Sequence, residues 1–268
     1  MQQTVRKDTS ICLDSGGKLV ELDYLRNMGV PEPKGPRHHP IRFDLFADMV
    51  NHRIRRIFPD YEVYKTHYAL NNKETQFFGL TVMLVPGWDD EMGLLIGYRG
   101  SIDQSLSESL VVGANVFICD NLCLSGGKDG IFVFRKNTLN AMNPSHPTSL
   151  GNQILTALYR ADSLTGNLHR DIDMFKDTRI SQRRMAELTG VAMYEDVLKP
   201  TQANEVYRQI REPSHEVFES ATMWSLYNHM TEGAKLGSLA RTFETHGNVH
   251  EFCKREAIDN RPTLVAVA

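Results

Sequence analysis

Two stretches hold the residues best suited to chemistry. Gly100-Ser-Ile-Asp-Gln-Ser-Leu-Ser107 sets short polar side chains at alternate positions. Gly113-Ala-Asn-Val-Phe-Ile-Cys-Asp-Asn121 then carries an apolar run to Cys119 and Asn121, with Gly126 beyond. Ser, Asp and Asn favour turns and caps because they bond nearby backbone groups. On an extended segment, Ser101, Asp103, Ser105 and Ser107 would form a strip able to receive a phosphate or a nucleotide backbone. The plainer reading is a polar solvent face with a helix cap ahead of Ser109-Leu-Val-Val.

Cys119 and Cys123 are spaced C-x₃-C, and His246, His250 and Cys253 fall close together later in the chain. Four of these five would make a Cys/His zinc site if the fold united them. Cys119 equally reads as a small buried hydrophobe on an apolar strand, so no metal and no cofactor is assigned. Nucleophilic catalysis has no local signature, since a Gly-x-Ser-x-Gly elbow is absent. The pairs Asp89/Asp90 and Asp171/Asp173 read as solvated loops. Ser125-Gly-Gly-Lys-Asp-Gly130 lacks phosphate-loop spacing and reads as a hairpin connection. No catalytic residue is assigned, and binding is a better expectation than enzymatic activity.

Arginines supply the other chemistry. Arg53, Arg55 and Arg56 cluster with His52, and Arg179, Arg183 and Arg184 cluster later, with Arg170 and Lys176 upstream. Guanidinium groups pair phosphates and stack on bases. Tyr64, Tyr68, Phe77, Phe78, Trp88 and Tyr98 are the aromatics that could stack; core packing is their alternative role. Arg53, Arg55, Arg56, Arg99 and Arg135 are the candidate nucleic-acid contacts.

These residues need elements to place them. Residues 1–39 read as an extended arm, because Val30 to Pro40 holds four prolines and a glycine. Phe43, Phe46, Val50, Ile54 and Ile57 share a helical stripe, so a helix is predicted from Pro40 to Phe58, ending at Pro59. Strands are predicted at 61–68, 75–85, 92–98, 112–119 and 131–134. Helices are predicted from 150 to 161, 179 to 188 (with Gly190 at its end), 201 to 211, 214 to 233 (Val217, Ala221 and Trp224 inward) and 236 to 247. Residues 247–268 read as a C-terminal tail, with a lone short strand at 261–268, beyond a domain at 40–246. Helix, strands, then helices argue for an α+β fold: an antiparallel sheet over about residues 61–134, flanked by an N-terminal helix and a mostly helical C-terminal half.

The bulk numbers narrow the class. The 268 residues are 41% hydrophobic and 24% charged, an ordinary globular balance. A net charge of −3 gives no global excess for duplex DNA, and leaves room for a local basic surface. Four cysteines do not make a disulfide framework, and no apolar run is long enough for a transmembrane helix. The expectation is a protein of the cytoplasm.

The Ser101–Gly126 run resembles the phage/plasmid-like family named domain of unknown function 932. Ser101, Asp103 and Ser105 match the family's turn, Gly113 an inner glycine, and Phe117, Cys119, Asn121 and Gly126 its strand and exit. Gly100 stands where the family commonly has Asn, Gln104 where it has Gly, and Leu106 replaces a small hydroxyl residue. Trp224-Ser-Leu-Tyr-Asn-His-Met-Thr231 is similar to the family's late helix, and Arg135-Lys-Asn-Thr138 to a basic stretch after the strand. The resemblance implies a mobile-element protein in the cytoplasm of a host cell, with no defined reaction. Three functions fit: a single-strand binding or annealing factor in recombination or replication, an inhibitor that binds a host defence protein, or an enzyme using Asp103, Ser105 and Asn121. A homo-oligomer suits the first. No membrane partner is expected.

Overall fold

The computed structural model describes residues 16–260 except 37, 89–90, 118, 120, 125–129 and 135–138. The hairpin expected at 125–130, Arg135 and the rest of its basic stretch, Gly126, and the tail from 261 onward therefore lie wholly or mostly outside the described residues.

The fold is α+β. Among the described residues, seven strands form one antiparallel sheet: β1 (Lys18–Val20), β2 (Glu62–Leu70), β3 (Gln76–Leu84), β4 (Met92–Ser101), β5 (Ser109–Val116), β6 (Asn121–Leu124) and β7 (Ile131–Val133). They lie in chain order from β1 to β6, and β7 pairs with the far part of β5. Short connections between sequential strands make this meander the simplest antiparallel topology.

The helices are α1 (Leu22–Asn27), α2 (Phe43–Ile57), the short α3 (Leu139–Met142), α4 (Leu150–Asp177), α5 (Gln182–Tyr194), α6 (Pro200–Arg211), α7 (Met223–Ala234) and α8 (Thr242–Asp259). Within the stretch read as an extended arm, residues 18–27 instead form β1 and α1, and Leu25 is buried. Pairing with β2 and burial of Leu25 supply what local periodicity over so few residues does not signal. The proline-rich residues 31–36 lack regular secondary structure, as the sequence implies.

Alternation along the strands makes two apolar faces. On one, Tyr68, Phe77, Met83, Leu94, Ile96, Tyr98, Leu110 and Val112 pack against α2 and the first half of α4. On the other, Phe78, Leu80, Val82, Leu95 and Val111 meet Leu239 and Phe243. The sheet is thus covered on both faces over β4 and β5, which are buried along their whole length. A third core joins the end of the sheet (Met92, Ala114, Val116, Cys123) to the second half of α4 and to α5–α8.

Close packing shows at Gly79, which pairs with Tyr98 across β3 and β4. A Cβ there would sit 2.2 Å from the Tyr98 ring, so only glycine leaves that ring its place. The Tyr98 hydroxyl donates to Asn51 Oδ1 (3.3 Å), which also accepts from Thr81 Oγ1 (3.0 Å), while Asn51 Nδ2 donates to Tyr68 (2.9 Å). This polar knot ties α2 to the sheet.

The C-terminal half departs from the local reading in four places. The helix expected to end at 161 continues to Asp177, because Leu168, Ile172 and Phe175 carry its stripe into the third core. Gly190 lies inside α5, and Gly247 inside α8. Val217 and Ala221 are exposed, since 216–218 is a 3₁₀ turn and α7 begins only at Met223. None of the helices among the described residues is long and apolar enough to cross a membrane.

Candidate functional site

The residues of the Ser101–Asn121 motif do not converge. Ser101, Asp103 and Ser105 occupy the β4–β5 turn, while Cys119 and Asn121 follow β5 at its other end. Eight residues of strand separate them, roughly 23 Å at about 3.3 Å per residue. Asp103, Ser105 and Asn121 therefore cannot act on one substrate atom, which removes the enzyme built on those three.

The turn is a self-contained hydrogen-bonded unit. Asp103 Oδ1 accepts from the Ser105 N–H (3.0 Å) and the Ser105 hydroxyl, and Ser101 Oγ accepts from the Leu106 N–H (3.0 Å). Burial would raise the Asp103 carboxyl. Hydrogen bonds from Ser105, Thr75 and Ser101 outweigh that and lower it to about 2. Gln104 has φ 67, the left-handed region that suits glycine.

At the other end, the Cys119–Asn121 segment meets α7. Asn121 Nδ2 donates to Asn228 Oδ1 (3.1 Å) and to the Asn228 carbonyl (3.3 Å), and Cys119 Sγ lies 3.8 Å from Asn228 Oδ1. Lys235 Nζ donates to the Cys119 carbonyl (2.6 Å) and to Glu232 (2.8 Å). The outward carbonyl of Leu122 accepts from Tyr227 Oη and from His246 Nδ1, each at 3.0 Å. Side chains of α7 and α8 thereby satisfy strand β6, the last in the β1–β6 order, as an edge strand requires. Burial lowers His246 to about 4, so its ring is neutral and Nδ1 carries the donated proton.

Beside this edge, Cys123 Sγ lies 3.6 Å from His250 Nδ1, and His250 Nε2 lies 3.0 Å from Asp171 Oδ2, which also takes Lys254 Nζ at 2.9 Å. Burial alone would lower His250. The Cys123 sulfur and the Asp171 carboxylate outweigh it and raise the imidazole to about 9. The order thiol, imidazole, carboxylate is that of a cysteine nucleophile, but the solvent gradient is reversed. Cys123 and His250 have no exposure, whereas Asp171 and Lys254 form the outer end. A nucleophile must meet its substrate, so this arrangement acts as a buried ionic tie between α4 and α8 beside β6. The sequence suggests a solvated loop at Asp171, but the residue sits in α4 on the buried side, next to Leu168 and Ile172. A carboxylate on an apolar helical stripe is the signal that marks it. Cys123, His246, His250 and Cys253 do come together, but among the described residues no three His, Cys, Asp or Glu side chains are set to hold a metal ion.

The candidate arginines divide sharply. Arg99 is 6% exposed. It binds Glu244 through both terminal nitrogens, the Ala240 carbonyl (2.6 Å) and Ser109 Oγ (3.1 Å). Its donors are consumed inside the protein, so it does not reach a phosphate. Arg53 Nε donates to the Gly151 carbonyl (2.7 Å) and Nη1 to the Met49 carbonyl (2.9 Å), fixing α2 beside the start of α4. The later cluster is largely neutralised: Arg183 pairs with Glu187, and Arg184 with Glu187 and Glu256. Arg55 and Arg56 are exposed, and among the described residues no carboxylate pairs with them; the same holds for Arg160 and Arg170 on α4. Of the expected stacking aromatics, Tyr68, Phe77, Phe78 and Tyr98 are core.

No family model, curated protein or solved structure matches the chain.

Proposed function

We propose that this chain binds nucleic acid, as an accessory protein of a phage or plasmid acting in recombination or replication. The observation that carries the reading is where unpaired guanidinium groups remain. Arg55 and Arg56 project from the side of α2 opposite Phe46, Val50 and Ile54, which face the sheet. α4 packs on that same sheet face through Leu150, Ile154 and Leu158, so the outer sides of both helices look away from the sheet together. Arg170 adds a further cation to this layer. Phosphate neutralisation supplies most of non-specific affinity, and a local patch provides it despite a net charge of −3. The resemblance of the Ser101–Gly126 and Trp224–Thr231 segments to a phage and plasmid family supports the biological setting.

The test is fluorescence anisotropy of a labelled oligonucleotide across a salt series, with the full chain. Each phosphate contact contributes a slope of about 0.7 in log K against log salt for single strands. Arg55→Ala/Arg56→Ala should lower the slope by about 1.4 if each guanidinium holds one phosphate. Absence of binding at low salt, or a slope unchanged in the double variant, would overturn the reading.

A further inference from the structure

We infer that the nucleic acid held on the α2–α4 layer is single-stranded and that Tyr159 is the platform on which a base stacks; this rests on the reading above. Tyr159 is 60% exposed and its ring contacts no other aromatic among the described residues. It projects from the outer side of α4, opposite the buried Ile154, Leu158 and Ala161. Arg170 follows eleven residues later, three turns on, so it lies on the same side of the helix, roughly 16 Å away at about 1.5 Å per residue. Asn152 lies on that side seven residues earlier, and the Arg53 bond to Gly151 brings α2 beside this end of α4.

Two other exposed tyrosines differ in setting. Tyr24 has its hydroxyl bound to Glu74 (2.7 Å). Tyr194 stands beside Glu195, whose carboxylate pairs with Arg255. Tyr159 alone of the three shares its layer with guanidinium groups that have no carboxylate partner. The acid on the outer side of α2, Asp48, lies 4.0 Å from Arg26 and is partly offset by it.

An exposed aromatic face on the same layer as unpaired arginines matches unpaired bases. A duplex encloses its base faces and offers a protein phosphates and groove edges, so an exposed ring adds nothing to holding it. A single strand offers every base as a stacking partner while its phosphates meet the arginines.

The experiment compares a labelled oligothymidylate with a duplex of the same length, using the full chain, Tyr159→Ala, Tyr159→Trp and Arg55→Ala/Arg56→Ala. Tyr159 is exposed, so its variants keep the fold, which circular dichroism checks. Tyr159→Ala should weaken the single strand about tenfold with an unchanged salt slope and leave duplex affinity as it was. Tyr159→Trp should restore single-strand binding. Equal loss for both ligands, or no loss with Tyr159→Ala while the arginine variant still weakens binding, overturns the stacking role and leaves the phosphate reading intact. No binding of either ligand by the unaltered chain overturns both.

Discussion

Replacing Asp171 by Asn tests the buried tie through its dependence on pH. His250 titrates at about 9 in the folded chain against an ordinary 6.5. A raised value means that folding favours the protonated ring. The stabilisation is complete below about pH 6.5 and is lost as pH rises through about 9. The gap, at about 1.4 kcal/mol per pH unit, is worth about 3 kcal/mol. The groups facing the ring are Cys123 from β6, Asp171 from α4, Tyr227 and Phe175 around it, and Lys254 at the outer end. Burial holds Tyr227 and Cys253 well above their ordinary values, so neither should ionise in this window. Urea unfolding followed by circular dichroism, at several pH values from about 6 to 9.5, should show stability falling by about 3 kcal/mol. In Asp171→Asn one of the two groups raising the ring is gone, so the fall should be clearly shallower and the protein less stable at neutral pH. A flat profile in the unaltered chain, or the same slope in both proteins, refutes the argument.

Two further changes probe other contacts. Asn228→Ala removes the side-chain acceptor of the buried Asn121 amide, leaving it only the backbone carbonyl of residue 228, and should cost about 1–3 kcal/mol in urea unfolding, with no change in oligonucleotide affinity. Glu244→Gln breaks the pair with Arg99 and should lower stability by about 2 kcal/mol. It should also leave nucleic-acid binding unaltered, because Arg99 stays held by Ser109 and Ala240; a gain in affinity would mean that the freed guanidinium reaches the ligand.

Local sequence signals determined a good part of this architecture. The Phe43–Ile57 stripe and its stop at Pro59 mark α2, since a 3.6-residue apolar period needs no knowledge of what covers it. Strand β2 is legible from alternation, β3 to β5 from apolar runs of strand length, and their order along the chain is enough to indicate an α+β body. Arg55 and Arg56 are placed on the outer side of α2 by the same periodicity.

Tertiary structure decided which polar residues are spent and which are free. Arg99 and Glu244 are 145 residues apart in sequence, Cys123 and His250 are 127 apart, and His250 and Asp171 are 79 apart. Periodicity reports how a residue sits on its own element. It carries no information about the element packed against it, so Arg99 and Arg55 look alike until the chain is folded. The same limit hid the four-residue strand β6, too short for a periodic signal, and the separation of Asp103 from Asn121 by the full length of β5. Ionisation and availability depend on burial and on partners, and those are properties of the packed molecule.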